Sequence, residues 1–491
     1  MKFIWALFIA LAVGIPAFAQ TPVTRFPVPG TVIKASPVFW SRDTNRTSIV
    51  LLPAGTTVLI TGRSDPWYRI VFQTPAGEQT GFMAPYDIRI DPDAAPPAGT
   101  RTRVLSERGF LEGRAIGFPQ TSPTDATRTF FDGLLRQEVF LKPARWLQFA
   151  GGLDVRGSSH DQVDSTWQVD FRDRGTLRPR IGVRRLTATL NSSHFTLDLG
   201  KQLIRWGMTD VLSPTDRFAP RDYLSVIDSE YLPVTGARAS INAGSERFEI
   251  VVVPEMTPSR LPLLTQRWAV IPSAITGVTV QDNGAVFPSS SQQGLRWSHV
   301  GRFEVGLSVF DGFNHLPEIT AEVNQDLTTV SLTRTYPRLR TYGGEIMVPT
   351  RAFTLKGEAA YFTSPTSVSD DYVLYVFELE RQVGEWLFDV GYAGELVTEP
   401  RADQMFSAER GMARSVIGRV AYTVDPRRTL AVEGAARQNG RGVYAKGEFS
   451  QTFGQHWRLT LAAAGIAGED DDFLGQYHRN SNASATFRLS F

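Results

Sequence analysis

Charged side chains recur at alternate positions of extended segments between residues 130 and 490. In the segment Val416–Tyr422, Arg419 lies on the face opposite Val416, Val420 and Tyr422. Charges of both signs on one face can pair with each other, or can set a field that attracts charged solutes. The candidates for this role are Arg136, Glu138, Asp198, Arg238, Glu249, Lys356, Glu358, Asp389, Arg419, Glu433, Arg437, Lys446, Glu448, Arg458 and Arg488.

The residue patterns of covalent catalysis are absent from the sequence. The 491 residues include no cysteine, which excludes disulfides, thiolate zinc sites and cysteine nucleophiles. There is no Gly-x-Ser-x-Gly elbow, no His-Glu-x-x-His and no phosphate-binding Gly-rich loop. A net charge of +1 argues against a nucleic-acid partner. We therefore expect no enzyme activity, cofactor or metal site.

The elements that must position the charges are β-strands. Apolar and polar residues alternate over about ten residues at a time, which is typical of half-buried strands and of membrane barrels. The composition, 42% hydrophobic and 21% charged, would also suit a soluble protein. If the apolar face contacts lipid, the charged face must line a lumen, because an Arg or Lys near the bilayer midplane costs about 2–4 kcal/mol.

Three features favour lipid over a soluble core. Ala483, Ala485, Phe487, Leu489 and Phe491 share one face, and this last segment resembles the signal that the barrel-assembly machinery of Gram-negative outer membranes recognises. Short turns alternate with long polar loops, as in outer-membrane barrels. Aromatic residues lie near strand ends, where the membrane interface favours them. The long loops are expected at about 157–178, 206–233, 256–291, 313–336 and 397–412.

These patterns predict an all-β chain with a large antiparallel transmembrane β-barrel of about eighteen strands, with sixteen as the alternative. The strand pattern is weakest between residues 256 and 336. An even number of strands places both barrel ends in the periplasm.

One segment before a long loop stands apart. Residues 200–222 resemble the "Gly-Arg-Gln … Trp-Gly … Asp … Asn-Pro" stretch of several large porin-like barrel families, with Lys201 in place of Arg and Ala219 in place of Asn. We expect this loop to fold inward as a constriction, or to form an ordered outer loop held by ion pairs. Lys201 breaks the alternation, which a bulge at Gly200 or a contact with lipid phosphates would explain. The constriction candidates are Asp210, Asp216, Arg217, Arg221 and Asp222.

The first residues predict secretion, and a small unit follows them. Residues 1–19 have one Lys, an apolar run and a small-x-small end, as in a signal peptide. Residues 20–92 contain short strand-length runs broken by Gly and Pro, which predict a small β-barrel. Residues 93–104, rich in Pro and Ala, are expected to form a linker, and residues 105–491 the large barrel.

The small unit resembles the bacterial Src-homology-3-like domain. The resemblance is carried by Leu51–Val58, by Trp67-Tyr68-Arg69-Ile70-Val71 and by Gly81-Phe82-Met83, with Phe82 in place of Trp. It implies a periplasmic module that contacts peptidoglycan or a periplasmic protein. The alternative is that Trp67 and Tyr68 only fill the core of this small barrel.

Together these observations predict a porin-like channel in the outer membrane for small polar or charged solutes. The alternatives are a structural cell-wall tether or adhesin with a plugged barrel and, less favoured, an outer-membrane lipid hydrolase. The expected partners are outer-membrane lipid and lipopolysaccharide, the barrel-assembly machinery that would recognise Phe491, and peptidoglycan or a periplasmic protein. The acidic run Glu469–Asp472 would bind divalent cations or, more simply, be solvated.

Overall fold

A computed structural model describes most of the chain. The expected signal peptide and nearly all of the expected linker lie outside the described residues. No helix in the described part is long and apolar enough to cross a membrane. The described ranges are 28–33, 36–39, 48–64, 67–74, 77–83, 87–91, 104–144, 146–270, 279–323, 329–350, 352–366, 369–401, 409–425, 427–454 and 456–491.

The N-terminal strands form one small sheet around an apolar core. The sheet has the order β3-β2-β6-β5-β4-β1-β7. Its core includes Val32, Ile60, Ile70 and Phe72, and the ring of Tyr68 is buried among them. The side chain of Trp67 lies outside the described set. The strands are β1 (Val28–Val32), β2 (Ser36–Phe39), β3 (Ser48–Leu52), β4 (Thr57–Ser64), β5 (Trp67–Thr74), β6 (Gly77–Met83) and β7 (Ile88–Ile90).

Eighteen antiparallel strands close into one large barrel, which confirms the main expectation and excludes sixteen. Two of them, β19 and β20, lie in the region where the sequence pattern was weakest. The wall strands are β8 (Leu105–Gly117), β9 (Thr129–Ala144), β10 (Leu147–Ser158), β12 (Ile181–Asn191), β13 (Phe195–Gln202), β16 (Val234–Ala243), β17 (Glu246–Val253), β19 (Gln292–Val300), β20 (Glu304–Phe313), β23 (Arg338–Pro349), β24 (Thr354–Thr363), β25 (Asp371–Val383), β26 (Trp386–Glu399), β27 (Ser415–Asp425), β28 (Arg428–Arg437), β29 (Gly442–Phe453), β30 (Trp457–Gly468) and β31 (Asn482–Ser490).

The turns at one end of the barrel span two to four residues, whereas most loops at the other end are long. In their described parts, the long loops carry short strands of their own and the 3-10 helix Gly475–Asn480. Three of these strands form a separate sheet of order β18-β22-β21. The loop strands are β11 (Val169–Asp170), β14 (Arg221–Asp222), β15 (Glu230–Tyr231), β18 (Thr279–Val286), β21 (Glu318–Val323) and β22 (Thr329–Thr335).

The barrel closes between its last and first strands. β31 pairs with β8 from Ala483 to Ser490. Phe491 then exchanges two backbone hydrogen bonds with Gly109, at 2.8 and 2.9 Å. A Cβ atom at Gly109 would lie 2.8 Å from the backbone oxygen of Arg136 and 2.6 Å from the ring of Phe491, so glycine permits this close approach. Phe491 thus completes the seam, and its recognition by an assembly machinery stays a prediction.

The outer wall is apolar, as a lipid-facing surface requires. Large hydrophobic side chains are exposed on it along every part of the wall, among them Leu135, Leu186, Leu307, Phe377 and Leu461. On a soluble protein a band of this extent would be an aggregation surface. The wall therefore belongs to a barrel that spans a membrane.

The substitution Leu461→Arg is expected to lower the free energy of unfolding by about 2–4 kcal/mol, because Leu461 faces lipid near the middle of β30. The neighbouring Thr460 points into the lumen, so Thr460→Arg at nearly the same depth should cost much less. Urea unfolding in lipid vesicles measures both variants. Equal losses would mean that β30 does not separate lipid from water in this way.

Candidate functional site

The loop 203–233, called here the lumen loop, crosses the inside of the barrel. It leaves the wall at β13 and docks on β24. There the carboxylate of Glu358 accepts hydrogen bonds from the backbone N–H groups of Met208, Thr209 and Thr215, at 2.7–3.2 Å. It also accepts hydrogen bonds from the hydroxyl groups of Thr209, Ser213 and Thr215. One glutamate from the wall therefore satisfies six donors of the loop.

A second anchor lies one strand further, on β25. Glu378 accepts the backbone N–H groups of Asp210 and Val211 at 2.7 and 3.2 Å. Asp210, Glu378 and Glu380 bring three carboxylates close enough to hold a cation. The ammonium of Lys356 already lies among them and pairs with all three. This cluster is thus an internal ion-pair network that fixes the loop, with a lysine where a metal ion would lie.

Asp216 organises the interior of the lumen loop. Its carboxylate accepts the backbone N–H groups of Trp206 and Gly207 and pairs with Arg205 at 2.8 Å. Burial opposes ionisation of this carboxyl, but Arg205 and the two N–H groups outweigh it and hold the pKa of Asp216 below its ordinary value. Trp206 packs edge-on against Phe218 within a buried apolar cluster. The loop is therefore a folded insert with its own core.

Ion pairs also join the lumen loop to the neighbouring outer loops. Asp222 pairs with Arg178 at 2.9 Å and with Arg260 at 3.3 Å. Arg217 pairs with Glu409 at 3.2 Å. Three separate loops thus hold the insert from the outer side.

The tip of the lumen loop reaches the opposite wall. Asp228 pairs with Arg114 of β8 at 2.8 Å and with Lys446 of β29 at 3.2 Å. Glu230 pairs with Arg156 of β10 at 2.9 Å. Burial opposes ionisation of Asp228, but Lys446 and Arg114 prevail and keep its pKa below the ordinary value. The tip is therefore held by charges across the lumen.

An open cavity of about 510 Å³ remains between the lumen loop and the strands β8–β10 and β27–β31. Charges of both signs line it in pairs, such as Arg419–Glu433 at 2.6 Å and Arg488–Glu112, whose Nε–Oε2 distance is 2.7 Å. Aromatic side chains of the outer loops, including Trp268 and Phe473, line it as well. We call this space the conduit.

The predicted charges fall into three groups in the structure. Arg136, Asp389, Arg419, Glu433, Lys446, Glu448, Arg458 and Arg488 line the conduit. Arg238, Glu249, Lys356 and Glu358 are buried on the other half of the lumen, the first two within an ion-pair chain and the last two beneath the lumen loop. Glu138 pairs with Arg108 near the short-turn end, Asp198 accepts the Thr189 hydroxyl, and Arg437 holds Asp472 of an outer loop.

The constriction candidates lie in the folded insert. Asp210, Asp216, Arg217 and Arg221 border the conduit, whereas Asp222 is taken up by its ion pairs. Their role as a constriction stays a prediction.

Residues that sequence reasoning missed also line the conduit. Glu112 and Arg114 on β8 alternate with Leu111 and Gly113, so the same two-residue period would have found them. Asp228 and Glu230 lie in a loop, where no periodic signal exists.

Two other expectations have clear outcomes. Lys201 is buried and pairs with Asp173 at 2.5 Å, so it does not contact lipid phosphates. The adjacent Gly200 has a φ of +112°, and a Cβ there would lie 2.1 Å from the carbonyl oxygen of Leu186. The strand pairs on both sides show no register shift at Gly200, so a backbone twist replaces the expected bulge.

Basic side chains surround the acidic run in the last outer loop. Glu469 and Asp471 both pair with Arg441, and Asp472 pairs with Arg437. Asp470 lies 3.2 Å from His478. The carboxylates that a bridging divalent cation would need are therefore already paired with basic side chains.

No protein-family model matches the chain, and no curated protein matches it. Among solved structures, it is similar to OccAB4 of Acinetobacter baumannii, at 10% identity with a TM-score of 0.47; 79% of this chain and 98% of that chain are covered. A BenF-like porin from Pseudomonas fluorescens Pf-5 matches at 10% identity, with a TM-score of 0.46 and the same coverage. OccK5 (OpdH) of Pseudomonas aeruginosa matches at 12% identity, with a TM-score of 0.45 over 79% of this chain and 97% of that chain.

Proposed function

We propose that the chain is a porin-like channel of the outer membrane that lets small polar or charged solutes diffuse through. The observation that carries this proposal is the conduit, an open cavity lined by charges of both signs beside a folded loop. The lumen loop fills the side of the lumen formed by β24 and β25, where Glu358 is only 3% exposed. On the opposite side the Glu433 side chain is 28% exposed. This difference in exposure supports a lumen that the loop narrows without plugging it.

The conduit works by non-covalent contacts. A solute that enters it exchanges hydration water for contacts with paired side chains such as Arg419 and Glu433. Because charges such as Arg419 and Glu433 already pair with each other, a solute must compete with that ion pair and is expected to leave again readily. This arrangement suits diffusion and does not suit tight storage.

Single-channel recording of the full chain in planar bilayers tests the proposal. We expect discrete conductance steps. Ala462 lines the conduit and the adjacent Ala463 faces outward, so they form a matched pair. Ala462→Trp should lower the conductance by about half by occupying the lumen, and Ala463→Trp should leave it unchanged. A bilayer that stays sealed, or equal effects of the two variants, would contradict the channel.

The N-terminal sheet of residues 28–91 is proposed to face the periplasm as a module that contacts peptidoglycan or a periplasmic protein. The support is that β8 begins, and β31 ends, at the end of the barrel that carries the short turns. If the module acts as a tether, the full chain should sediment with purified peptidoglycan. A chain lacking residues 20–92 should then stay in the supernatant, and equal sedimentation of the two would argue against the tether.

A further inference from the structure

Two arginines project from the lipid-facing wall at the end with the long loops. Arg338 and Arg340 on β23 alternate with the buried residues Leu339 and Thr341, so they point outward. Their side chains are 48% and 50% exposed. Both pair with Asp311 of β20, at 3.0 and 3.3 Å. We call these three residues the rim patch.

The rim patch lies just beyond the apolar wall. Tyr342, the next outward residue of β23, is 46% exposed and faces Tyr361 of the neighbouring strand. On β20 the outward residues next to Asp311 are Val309 and Leu307. A step of two residues along a strand is about 7 Å. The patch therefore lies at the level of lipid headgroups, directly above an aromatic and aliphatic surface.

The rim patch carries an excess of positive charge. Two guanidinium groups share one carboxylate, and within the described ranges no second carboxylate forms an ion pair with either of them. Each guanidinium has five N–H groups. Asp311 accepts two from Arg338 and one from Arg340. Several N–H groups of the two guanidinium groups are therefore not bonded to Asp311 and can donate to another acceptor.

We propose that the rim patch binds the phosphate groups of an outer-leaflet lipid, such as a phosphorylated glycolipid. Guanidinium groups bind phosphate oxygens in a bidentate manner. The patch is on the outside of the barrel, so solutes in the conduit do not reach it. The adjacent apolar surface fits the acyl chains of the same molecule. This inference rests on the outer-membrane location proposed above, but not on conductance, so a sealed bilayer would leave it intact.

The opposite rim offers a matched control. Arg428 begins β28 at the short-turn end, is 50% exposed and pairs with a single carboxylate, Asp425. It has the exposure of the patch arginines without their excess charge.

The test measures binding of bis-phosphorylated lipid A by the full-length protein in detergent micelles. Native mass spectrometry counts the retained lipid, and the thermal unfolding midpoint is measured with and without lipid. The double variant Arg338→Gln/Arg340→Gln should bind about tenfold more weakly, whereas Arg428→Gln should bind as the parent does. Asp311→Asn should bind more tightly, because it removes the competing carboxylate. If the ion pairs only stabilised the rim, both the double variant and Asp311→Asn would bind lipid A more weakly.

Several outcomes would overturn the proposal. One is undiminished lipid retention by the double variant, and another is equal binding of dephosphorylated lipid A. A shift of the unfolding midpoint with inorganic phosphate, but none with lipid A, would assign the patch to a free phosphate. Equal loss in Arg428→Gln would mean that any exposed arginine binds the lipid.

Discussion

Replacement of Glu358 by alanine is expected to raise the single-channel conductance by about twofold, because the lumen loop would leave the side of the lumen that it occupies beside β24 and β25. On β24, Glu358 accepts more hydrogen bonds from the loop than any other described residue, and Lys356 adds an ion pair with Asp210. Its carboxylate accepts six donors from Met208, Thr209, Ser213 and Thr215. Alanine offers none of them an acceptor.

The size of this effect follows from the backbone groups involved. Three of the six donors are backbone N–H groups that Glu358→Ala leaves buried without an acceptor, at about 1–3 kcal/mol each. In Glu358→Ala the docked loop then has a higher free energy than a detached loop, because water can satisfy the same N–H groups once the loop is detached. We therefore expect a wider and noisier channel, because the loop fluctuates between positions.

Two further variants test the cause. Glu358→Gln keeps the shape and one acceptor oxygen, so it should give an intermediate conductance. Glu138→Gln alters another buried lumen glutamate, which pairs with Arg108 and has no contact with the loop in the described structure. It should leave the conductance unchanged. Unchanged conductance in Glu358→Ala would show that the remaining ion pairs, such as Lys356–Asp210, hold the loop alone.

The wall of the barrel could be predicted because each strand carries its own signal. Arg419 and Glu433 face the lumen and Val420 and Val432 face lipid, as their positions in the two-residue period require. A residue's face depends only on its parity within one strand. The length of each loop or turn can likewise be read from the short stretch of sequence between two strands. This is why the strand number, the loop asymmetry and the closing strand were all predictable.

The contents of the lumen could not be predicted in this way. Glu358 has the same parity signal as Glu433, yet one is buried beneath the lumen loop and the other faces the conduit. What separates them is a set of contacts between residues far apart in sequence, for example Thr215 with Glu358, 143 positions away. Parity predicts that a side chain points inward, but not what it meets there.

The tip of the lumen loop was missed for the same reason. Asp228 and Glu230 lie in a segment without periodicity, and their partners come from β8, β10 and β29. Only the three-dimensional path of the loop brings these carboxylates to the basic wall. Asp228 and Glu230 both line the conduit.

Removal of the Asp228 charge is expected to shift the channel toward anions. A unit charge about 7 Å from a passing ion changes its energy by about 0.6 kcal/mol even at the dielectric constant of water, a factor of about three in local concentration. Asp228→Asn leaves Arg114 and Lys446 without their shared carboxylate, so the conduit gains one net positive charge. Lys446→Gln does the opposite and should shift the channel toward cations by a similar factor.

Reversal potentials in a KCl gradient measure both shifts, and their opposite signs separate charge from loosening of the loop. Both variants break the Asp228–Lys446 ion pair and loosen the same loop tip, so a mechanical effect would move both potentials in one direction. Asp425→Asn removes an acidic group at the end of β27, beside a short turn and outside the conduit, and serves as the control. High salt should shrink both shifts, because the Debye length falls from about 10 Å at 0.1 M to about 3 Å at 1 M. Shifts of the same sign in Asp228→Asn and Lys446→Gln would mean that the tip limits solutes by its bulk, and that its charge does not select among them.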